Sequence, residues 1–150
     1  MKRSGSLSVF LMVMLFIASC ATVYQPKRFT GGYSDVQLDK NTVQVTFQGN
    51  AYTSKETVNT YLLYRCAETT IKHGFDYFVI IDRGVDVKHG VITTPGSYGY
   101  GIYTPGQAIP YQKYSDTAII KMFKGEKSDD IPNAYNAKEL MNYLEPHIKR

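Results

Sequence analysis

The stretch TVQVTFQG, residues Thr42–Gly49, alternates strictly between polar and apolar side chains. Val43, Val45 and Phe47 fall on one side of an extended chain, and the polar residues between them fall on the other. This alternation with β-branched residues is typical of a strand that packs one face on a core and leaves the other face in water. We therefore expect a half-buried strand that ends at Gly49.

An amphipathic helix is predicted directly after this strand, from about Ser54 to His73. Thr53 and Glu56 have the spacing of a capping box, and Gly74 suits a left-handed C-cap. The apolar residues recur with helical spacing, which predicts a stripe that faces the core. The stripe consists of Val58, Leu62, Leu63, Cys66, Ala67 and Ile71.

The segment DYFVIID, residues 76–82, is apolar at consecutive positions and predicts a central strand buried on both faces. A strand–helix–strand order with short connections implies that this strand runs parallel to the first, through a right-handed crossover. Residues 85–92 predict a further short strand, and TAIIKMFK, residues 117–124, predicts a third main strand. A second helix is expected over residues 136–147, with Asn136 as its N-cap.

These elements predict an α+β fold with a small sheet of three to five strands, in the order β-α-β-loop-β-α, and two helices on one face. A chain of 150 residues is short for two domains, so we expect a single domain over residues 36–150. Residues 20–35 contain a proline, two adjacent glycines and few aliphatic side chains. They therefore predict a tether before the domain.

The composition changes between residues 93 and 115, where four Gly, three Pro and five Tyr stand among few aliphatic side chains. We expect a long exposed loop or an irregular hairpin here. Tyrosine combines a large ring, a polar tip and few rotatable bonds, which suits recognition surfaces. Two interpretations are open: the rings bind a partner, or they cover the domain's own sheet. The candidate partner-binding residues are Tyr98, Tyr100, Tyr103, Tyr111 and Tyr114.

The first twenty residues predict a secretory signal. A short basic start precedes an uncharged apolar run, VFLMVMLFIA, residues 9–18, which as a helix would rise only ~15 Å, half of a bilayer core. The following IASC, residues 17–20, resembles the bacterial lipobox, whose cysteine receives a diacylglyceryl group and becomes the acylated N-terminus after cleavage. We expect residues 1–19 to be removed and Cys20 to carry acyl chains such as palmitate. The alternatives are an ordinary signal peptide with an incidental cysteine, and a buried apolar helix.

Cleavage would change the charge of the chain. Removal of Lys2 and Arg3 from a chain with 17 Lys+Arg and 13 Asp+Glu leaves 15 basic and 13 acidic residues, a net charge of +2. A near-neutral chain outside the cytoplasm is not expected to bind nucleic acid. By resemblance to Gram-negative sorting signals, Ala21 after the lipid-bearing cysteine favours the periplasmic face of the outer membrane over the inner membrane.

The sequence contains no catalytic or metal-binding motif that we recognise. The three histidines are far apart, outside any metal-ligand spacing. Gly99 and Gly101 form a GxG without the third glycine or the lysine of a phosphate-binding loop, and no GxSxG is present. Cys66 lies on the apolar stripe, where a thiol behaves as a buried hydrophobe. We therefore expect no enzyme activity, no cofactor and no metal.

Five segments form a further pattern: GGYSD (31–35), FQGN (47–50), LYRCAE (63–68), GFDYF (74–78) and YNAKEL (135–140). Together they resemble a family of small uncharacterised lipoproteins of Gram-negative bacteria. The resemblance covers most of the mature chain and implies lipid anchoring, without an established activity. Arg65 and Glu68 stand in this pattern, and they could pair at i, i+3 or reach the turn around Asp35. We expect these three residues to form a structural clasp.

These patterns predict a non-enzymatic, membrane-anchored lipoprotein of the cell envelope, with a binding or structural role toward another envelope component. That component is expected to be an envelope protein, contacted through the tyrosine-rich region. A peptidoglycan- or glycan-binding module is the alternative, and an enzyme of unknown type is the third hypothesis.

Overall fold

The computed structural model describes residues 21–127 and 130–150. The predicted signal peptide, residues 1–19, and the predicted lipid-attachment residue Cys20 lie outside the described residues. The strands are β1 (Gly32–Asp39), β2 (Thr42–Gln48), β3 (Tyr77–Thr93), β4 (Ser97–Gly99), β5 (Ile102–Thr104), β6 (Ala108–Phe123) and β7 (Ala134–Asn136). The helices are α1 (Lys55–Lys72), α2 (Ala137–Leu144) and a 3-10 turn (Glu145–His147).

Five of these strands form one curled antiparallel sheet in the order β1-β2-β6-β3-β7, and β4 and β5 form a separate hairpin. Because β2 and β3 both pair antiparallel with β6, they run parallel to each other, as predicted, but β6 lies between them. The two helices and the sheet make the fold roughly α+β, and strand is the more abundant structure. The fold is therefore mainly β.

The core lies between the sheet and α1, which packs across β2 and β6, while α2 packs beside α1. The predicted strand at residues 42–49 is confirmed: Val43, Val45 and Phe47 are buried and alternate with partly exposed polar residues. Opposite them, Leu62 and Cys66 of α1 are also buried. Burial of one such aliphatic side chain contributes about 1.5–3 kcal/mol to folding.

The helix predicted from Ser54 to His73 is confirmed, but its cap and its buried face differ from the expectation. The N-cap is Ser54, whose side chain accepts a hydrogen bond from the backbone N–H of Thr57. Thr53 is buried instead, and its hydroxyl contacts the N-terminal segment. Ile71, at the end of the predicted stripe, is exposed. The buried face is broader than an aliphatic stripe, because two helix faces, toward the sheet and toward α2, are covered.

The prediction of a tether up to residue 35 is wrong within the described residues. Strand β1 begins at Gly32, and Thr22 and Tyr24 are buried. The backbone N–H of Tyr24 donates to the carbonyl of Lys149 at 2.7 Å. Few aliphatic residues occur in this segment because an aromatic ring, rather than an aliphatic side chain, attaches it to the domain.

The prediction that residues 76–82 form a central strand buried on both faces is also wrong. The central strand is β6, and β3 lies between β6 and the short edge strand β7. Within β3 only Phe78 is fully buried. A bulge between Ile80 and Asp82 shifts the register and leaves Ile81 exposed. A run of apolar residues therefore marks an irregularity here rather than burial on two faces.

The second helix begins as predicted. The side chain of Asn136 accepts a hydrogen bond from the backbone N–H of Glu139 at 3.1 Å, which is an N-cap. The α-helix ends at Leu144 rather than at residue 147, and a 3-10 turn with Pro146 in its first turn follows. Among the described residues, no helix has the length and apolar composition needed to span a membrane.

Candidate functional site: a hairpin arm

Strands β3 and β6 form a hairpin that extends well past the neighbouring strand. The last residue of β2, Gln48, pairs with Ser115, and the backbone N–H of Gly49 donates to the carbonyl of Tyr114 at 2.9 Å. Beyond this point the pairs run from Val87 opposite Tyr114 to Thr93 opposite Ala108. At ~3.3 Å per residue this ribbon is ~20 Å long. We call residues 87–114 the hairpin arm and residues 94–107 its tip.

The tip is a small β-hairpin whose base is closed by hydrogen bonds. At its base, the backbone N–H groups of Thr94 and Gln107 donate to the other residue's carbonyl and hydroxyl oxygens, at 2.9 and 2.8 Å. At its end, Tyr100 and Gly101 connect β4 to β5 with φ angles of 51° and 78°. Positive φ at both central residues of a two-residue connection matches the twist of a β-hairpin. Of the two expectations for residues 93–115, a long loop or an irregular hairpin, the structure shows the hairpin, because strand pairing continues through most of the segment.

The structure places the five candidate tyrosines in two groups. Tyr98 and Tyr103 are paired across the tip with ring centroids 4.9 Å apart, and Tyr98 is 80% exposed. Tyr100 at the turn is fully exposed. Tyr111 and Tyr114 lie lower on the arm and are partly buried. The three tip rings therefore cover no part of the domain's own sheet, whereas the two lower rings lie partly against the protein.

Gly90 makes room for one of the lower rings. A Cβ atom at Gly90 would lie 2.4 Å from the ring of Tyr111, its cross-strand partner. The Tyr111 ring therefore lies flat across the backbone of β3. Together with Tyr52, Ile92 and Ile109, this ring lines a groove of about 470 Å³ where the arm leaves the domain.

Exposed aliphatic residues accompany the tyrosines, and sequence reasoning from tyrosine alone missed them. They are Val87, Val91, Ile92, Ile102 and Ile109. By the strand register, Ile92 and Ile109 share one face of the ribbon, Val87 and Val91 share the other, and Ile102 lies in the tip, so both faces of the arm expose apolar side chains. A sequence signal for them exists: residues 89–112 contain no Asp, Glu, Lys or Arg.

Two lysines bound this uncharged segment. Lys88 and Lys113 are cross-strand partners, so their side chains leave the same face of the arm. Like charges placed directly opposite each other are unfavourable in an antiparallel pair. The Lys113 ammonium lies 5.2 Å from the centre of the Tyr111 ring, within the range of a cation–π contact. The arm thus has two lysines near its base, with Asp86 two residues before Lys88, and an uncharged end that exposes aromatic and aliphatic side chains.

The arm is held at its root by an ion pair that sequence reasoning did not single out. Asp116 of β6 is buried, and its carboxylate accepts hydrogen bonds from Arg83 of β3 at 2.5 and 3.2 Å. The same guanidinium contacts Asn59 of α1. The hydrogen bonds with Asp116 raise the pKa of Arg83 above its ordinary value. The sequence did contain an indication of this burial. Asp116 is two residues before the core-facing Ala118 on the same strand, so both side chains lie on the same face of the sheet.

The second candidate group, Arg65, Glu68 and Asp35, is brought together in the body of the domain. Arg65 Nε donates to both Asp35 oxygens at 3.1 and 3.0 Å, and Nη1 donates to Glu68 Oε2 at 2.6 Å. The Tyr24 hydroxyl donates to the same Glu68 carboxylate, and the Arg65 guanidinium lies 3.9 Å from the ring centre of Tyr33. These contacts connect residue 24, β1 and α1.

Burial and neighbouring charges shift the pKa values of Arg65 and Tyr24 in directions that keep each group in a single protonation state. Burial acts to lower the pKa of Arg65, but the hydrogen bonds and charge of Asp35 outweigh it and raise that pKa above its ordinary value. Burial and the hydrogen bond to Glu68 raise the pKa of the Tyr24 phenol. Arg65 therefore stays cationic and Tyr24 stays neutral, which suits a structural contact.

The remaining chemical groups of the described residues form no reactive arrangement that we recognise. Cys66 is free and fully buried, and burial raises the pKa of its thiol, which disfavours the nucleophilic thiolate. Within residues 21–127 and 130–150, no three His, Cys, Asp or Glu side chains are grouped as metal ligands. In comparisons with known proteins, no family model, no curated protein and no solved structure matches this chain.

Proposed function

We propose that this chain is a non-enzymatic lipoprotein of the bacterial cell envelope. Acyl chains on Cys20 anchor it at the periplasmic face of the outer membrane, and its hairpin arm binds another envelope component. The proposed location is supported by the basic start, the short apolar run and the lipobox-like IASC of residues 17–20. Several acyl chains on one residue are sufficient for stable anchoring.

One observation carries the binding role: the exposed, uncharged tip. Tyr98 and Tyr100 are exposed to 80% and 107%, on a ribbon whose root is held by the ion pair between Arg83 and Asp116. A rigid support for exposed aromatic rings lowers the entropy lost when a partner is bound. Such rings also bury a large area at little cost in rotamer freedom.

The proposed address is tested at Cys20. We expect the natural chain to fractionate with membranes, and we expect a Cys20→Ser variant, exported behind an ordinary cleavable signal peptide, to be released into the soluble periplasm. Mass spectrometry of the natural chain should find acyl groups on an N-terminal Cys20. An unmodified Cys20 in a membrane-bound chain would contradict the proposal.

The proposed binding role is tested with a photo-crosslinking side chain at position 98 in intact cells. Tyr143 of α2 provides a matched control position, because it is 76% exposed and lies on the body of the domain rather than on the arm. We expect crosslinks to an envelope component from position 98 and a much lower yield from position 143. Equal yields from the two positions would contradict a specific role of the arm.

A glycan is the second candidate partner, and the Tyr98–Tyr103 pair is the observation that favours it. Exposed aromatic faces stack on sugar rings, and these two rings lie 4.9 Å apart on the tip. In that case purified peptidoglycan should sediment the non-acylated chain and should fail to sediment a Tyr98→Ala/Tyr103→Ala variant. Equal sedimentation of the two chains would remove the glycan from consideration.

A further inference from the structure

We infer that the component bound by the hairpin arm is the phospholipid surface of the membrane that holds the anchor. The arm would place its uncharged tip among the lipid headgroups and its two lysines at the membrane surface. This inference rests on the proposed function, because it names the partner of the same arm.

The first argument is the position of the N-terminal segment. The backbone N–H of Thr22 donates to the Thr53 hydroxyl at 2.9 Å, and the backbone N–H of Asn50 donates to the Thr22 hydroxyl at 2.9 Å. Asn50 and Thr53 lie in the connection between β2 and α1. This connection is directly beside the root of the arm, where the backbone N–H of Gly49 donates to the carbonyl of Tyr114. Residue 20 is two residues before Thr22, so an anchor there holds this end of the domain at the membrane.

The second argument is the composition of the part of the hairpin arm that extends away from the domain. Residues 89–112 contain no Asp, Glu, Lys or Arg, and they expose both tyrosine and isoleucine. Tyrosine is enriched at membrane–water interfaces because its ring favours the apolar side and its hydroxyl the polar side. A water-filled periplasm provides no such favourable environment for Tyr100, which is fully exposed in the described structure, or for Ile102, which is 69% exposed.

The third argument is charge complementarity at the base of that segment. Lys88 and Lys113 lie opposite each other, five residue pairs before the tip, a distance of ~17 Å. Their mutual repulsion is relieved when an anionic phospholipid surface lies between or beneath them. The ~17 Å of ribbon beyond the lysines exceeds the ~5–8 Å thickness of one headgroup layer, so the uncharged segment would lie along the interface rather than perpendicular to it.

The open edges of the ribbon limit its depth. In the described structure β7 covers β3 only from Tyr77 to Val79, and β2 covers β6 only as far as Ser115. The outward-facing backbone N–H and C=O groups of the arm therefore need water or headgroups as hydrogen-bond partners. Unsatisfied backbone groups are not tolerated in the hydrocarbon core. The arm should thus lie along the headgroup region, with its backbone kept out of the hydrocarbon core.

The absence of tryptophan from the chain provides a clean test. The acylated protein carrying Tyr98→Trp, or Tyr143→Trp as the matched control, is reconstituted in vesicles of phosphatidylcholine and phosphatidylglycerol. We expect a blue-shifted emission and strong quenching by lipids brominated on their acyl chains for Tyr98→Trp, and a water-like, weakly quenched emission for Tyr143→Trp. Identical spectra for the two variants would overturn the inference.

The lysines are tested with the mature, non-acylated chain, residues 20–150 with Cys20→Ser. Removing two charges at the surface, by Lys88→Gln and Lys113→Gln, should weaken partitioning onto phosphatidylglycerol vesicles about 30-fold. The control is Lys72→Gln with Lys138→Gln, the same charge change at the opposite end of the domain. Equal weakening by the two pairs would show that net charge alone drives binding, which would overturn the inference.

The two proposals fail differently. If position 98 crosslinks to an envelope protein in cells while Tyr98→Trp stays water-exposed in vesicles, the arm binds a protein, so the inference falls and the proposed function stands. If acylated chains are absent from the membrane fraction, the proposed function itself fails, whatever the vesicle experiment gives.

Discussion

The body of the domain and the hairpin arm distribute their charged and apolar side chains in opposite ways. In the body, Arg65 and Asp116 are buried, each in a multiply hydrogen-bonded ion pair. In the arm, residues 89–112 have no Asp, Glu, Lys or Arg, yet they expose aromatic and aliphatic side chains such as Tyr100 and Ile102. A folded domain in water ordinarily keeps its charges outside and its large apolar groups inside.

This difference indicates that stability and binding belong to different parts of the molecule. Buried charges persist only when their partners satisfy them, so the ion pairs of the body report on its fold. Exposed apolar groups add little to folding, so those of the arm are the residues that we propose contact a partner. Substitutions in the two parts should therefore separate stability from binding.

The largest expected contrast is between Phe47 in the body and Tyr100 in the arm. Phe47→Ala should lower the free energy of unfolding by about 4 kcal/mol, because it leaves a cavity in a fully buried site. Tyr100→Ala should change it by less than about 0.5 kcal/mol, because that ring has no cover. Urea denaturation of both variants measures the contrast. A large loss of stability with Tyr100→Ala would contradict the division between body and arm.

Arg65 should follow Phe47 in size. Arg65→Met removes the cation but keeps a long apolar side chain. It leaves the Asp35 carboxylate without its guanidinium partner and leaves the Glu68 carboxylate with the Tyr24 hydroxyl as donor. We expect a loss of about 3 kcal/mol in the free energy of unfolding. Arg150→Met provides a control, because Arg150 pairs with Glu145 at the surface and its loss should matter far less. Equal losses would show that Arg65 is not a structural contact.

Tyr24 tests whether the N-terminal segment belongs to the body. Its ring lies 4.8 Å from that of Tyr33 and 5.1 Å from that of Tyr64, measured between centroids. Tyr24→Ala should lower the free energy of unfolding by about 2 kcal/mol, and Tyr24→Phe, which removes only the hydroxyl, by about 1 kcal/mol. Thermal unfolding of the two variants measures both values. An unchanged free energy of unfolding for Tyr24→Ala would show that the segment around residue 24 acts as a tether and not as part of the folded body.

The smallest effect on stability is expected for removal of the tip. Replacing residues 94–107 by Asn-Gly joins Thr93 to Ala108 through a two-residue turn that suits their pairing. The free energy of unfolding should change by less than about 0.5 kcal/mol, because no residue of the core cluster lies in the tip. The same variant should lose its contact with the membrane surface. Hydrogen exchange of the body residues measures whether the fold is retained, and a loosened body would contradict the prediction.

Local sequence patterns predicted the elements whose signals are local. The alternation at residues 42–49 and the helical spacing from Ser54 to His73 reflect burial of one face, which follows from periodicity alone. The cap at Asn136 was also predictable, since a cap depends on a side chain and an N–H three residues away. Among candidate residues, the tyrosines were singled out from residue type and position, and Arg65, Glu68 and Asp35 from the resemblance to a lipoprotein family together with the i, i+3 spacing.

Contacts between distant segments were not predictable in this way. Residues 22–35 lack an aliphatic pattern because Tyr24 and Arg65 hold them through an aromatic ring and a hydrogen-bonded charge. The choice between loop and hairpin for residues 93–115 could not be made from the sequence, because prolines and glycines mask the pairing of residues 108–115 with β3. Asp116 was not among the candidate residues, and only its burial against Arg83 gives it a role at the root of the arm.

By itself, the amino-acid sequence determined the half-buried strand, the long helix, the enrichment of tyrosine in one region and the absence of charge from residues 89–112. These properties depend on residue type and on neighbours along the chain. Only the tertiary structure decided that this uncharged region is a ribbon beside the N-terminal segment, with Lys88 opposite Lys113. Strand register and the approach of distant segments depend on packing and hydrogen bonds between residues far apart in the chain, which no local pattern encodes.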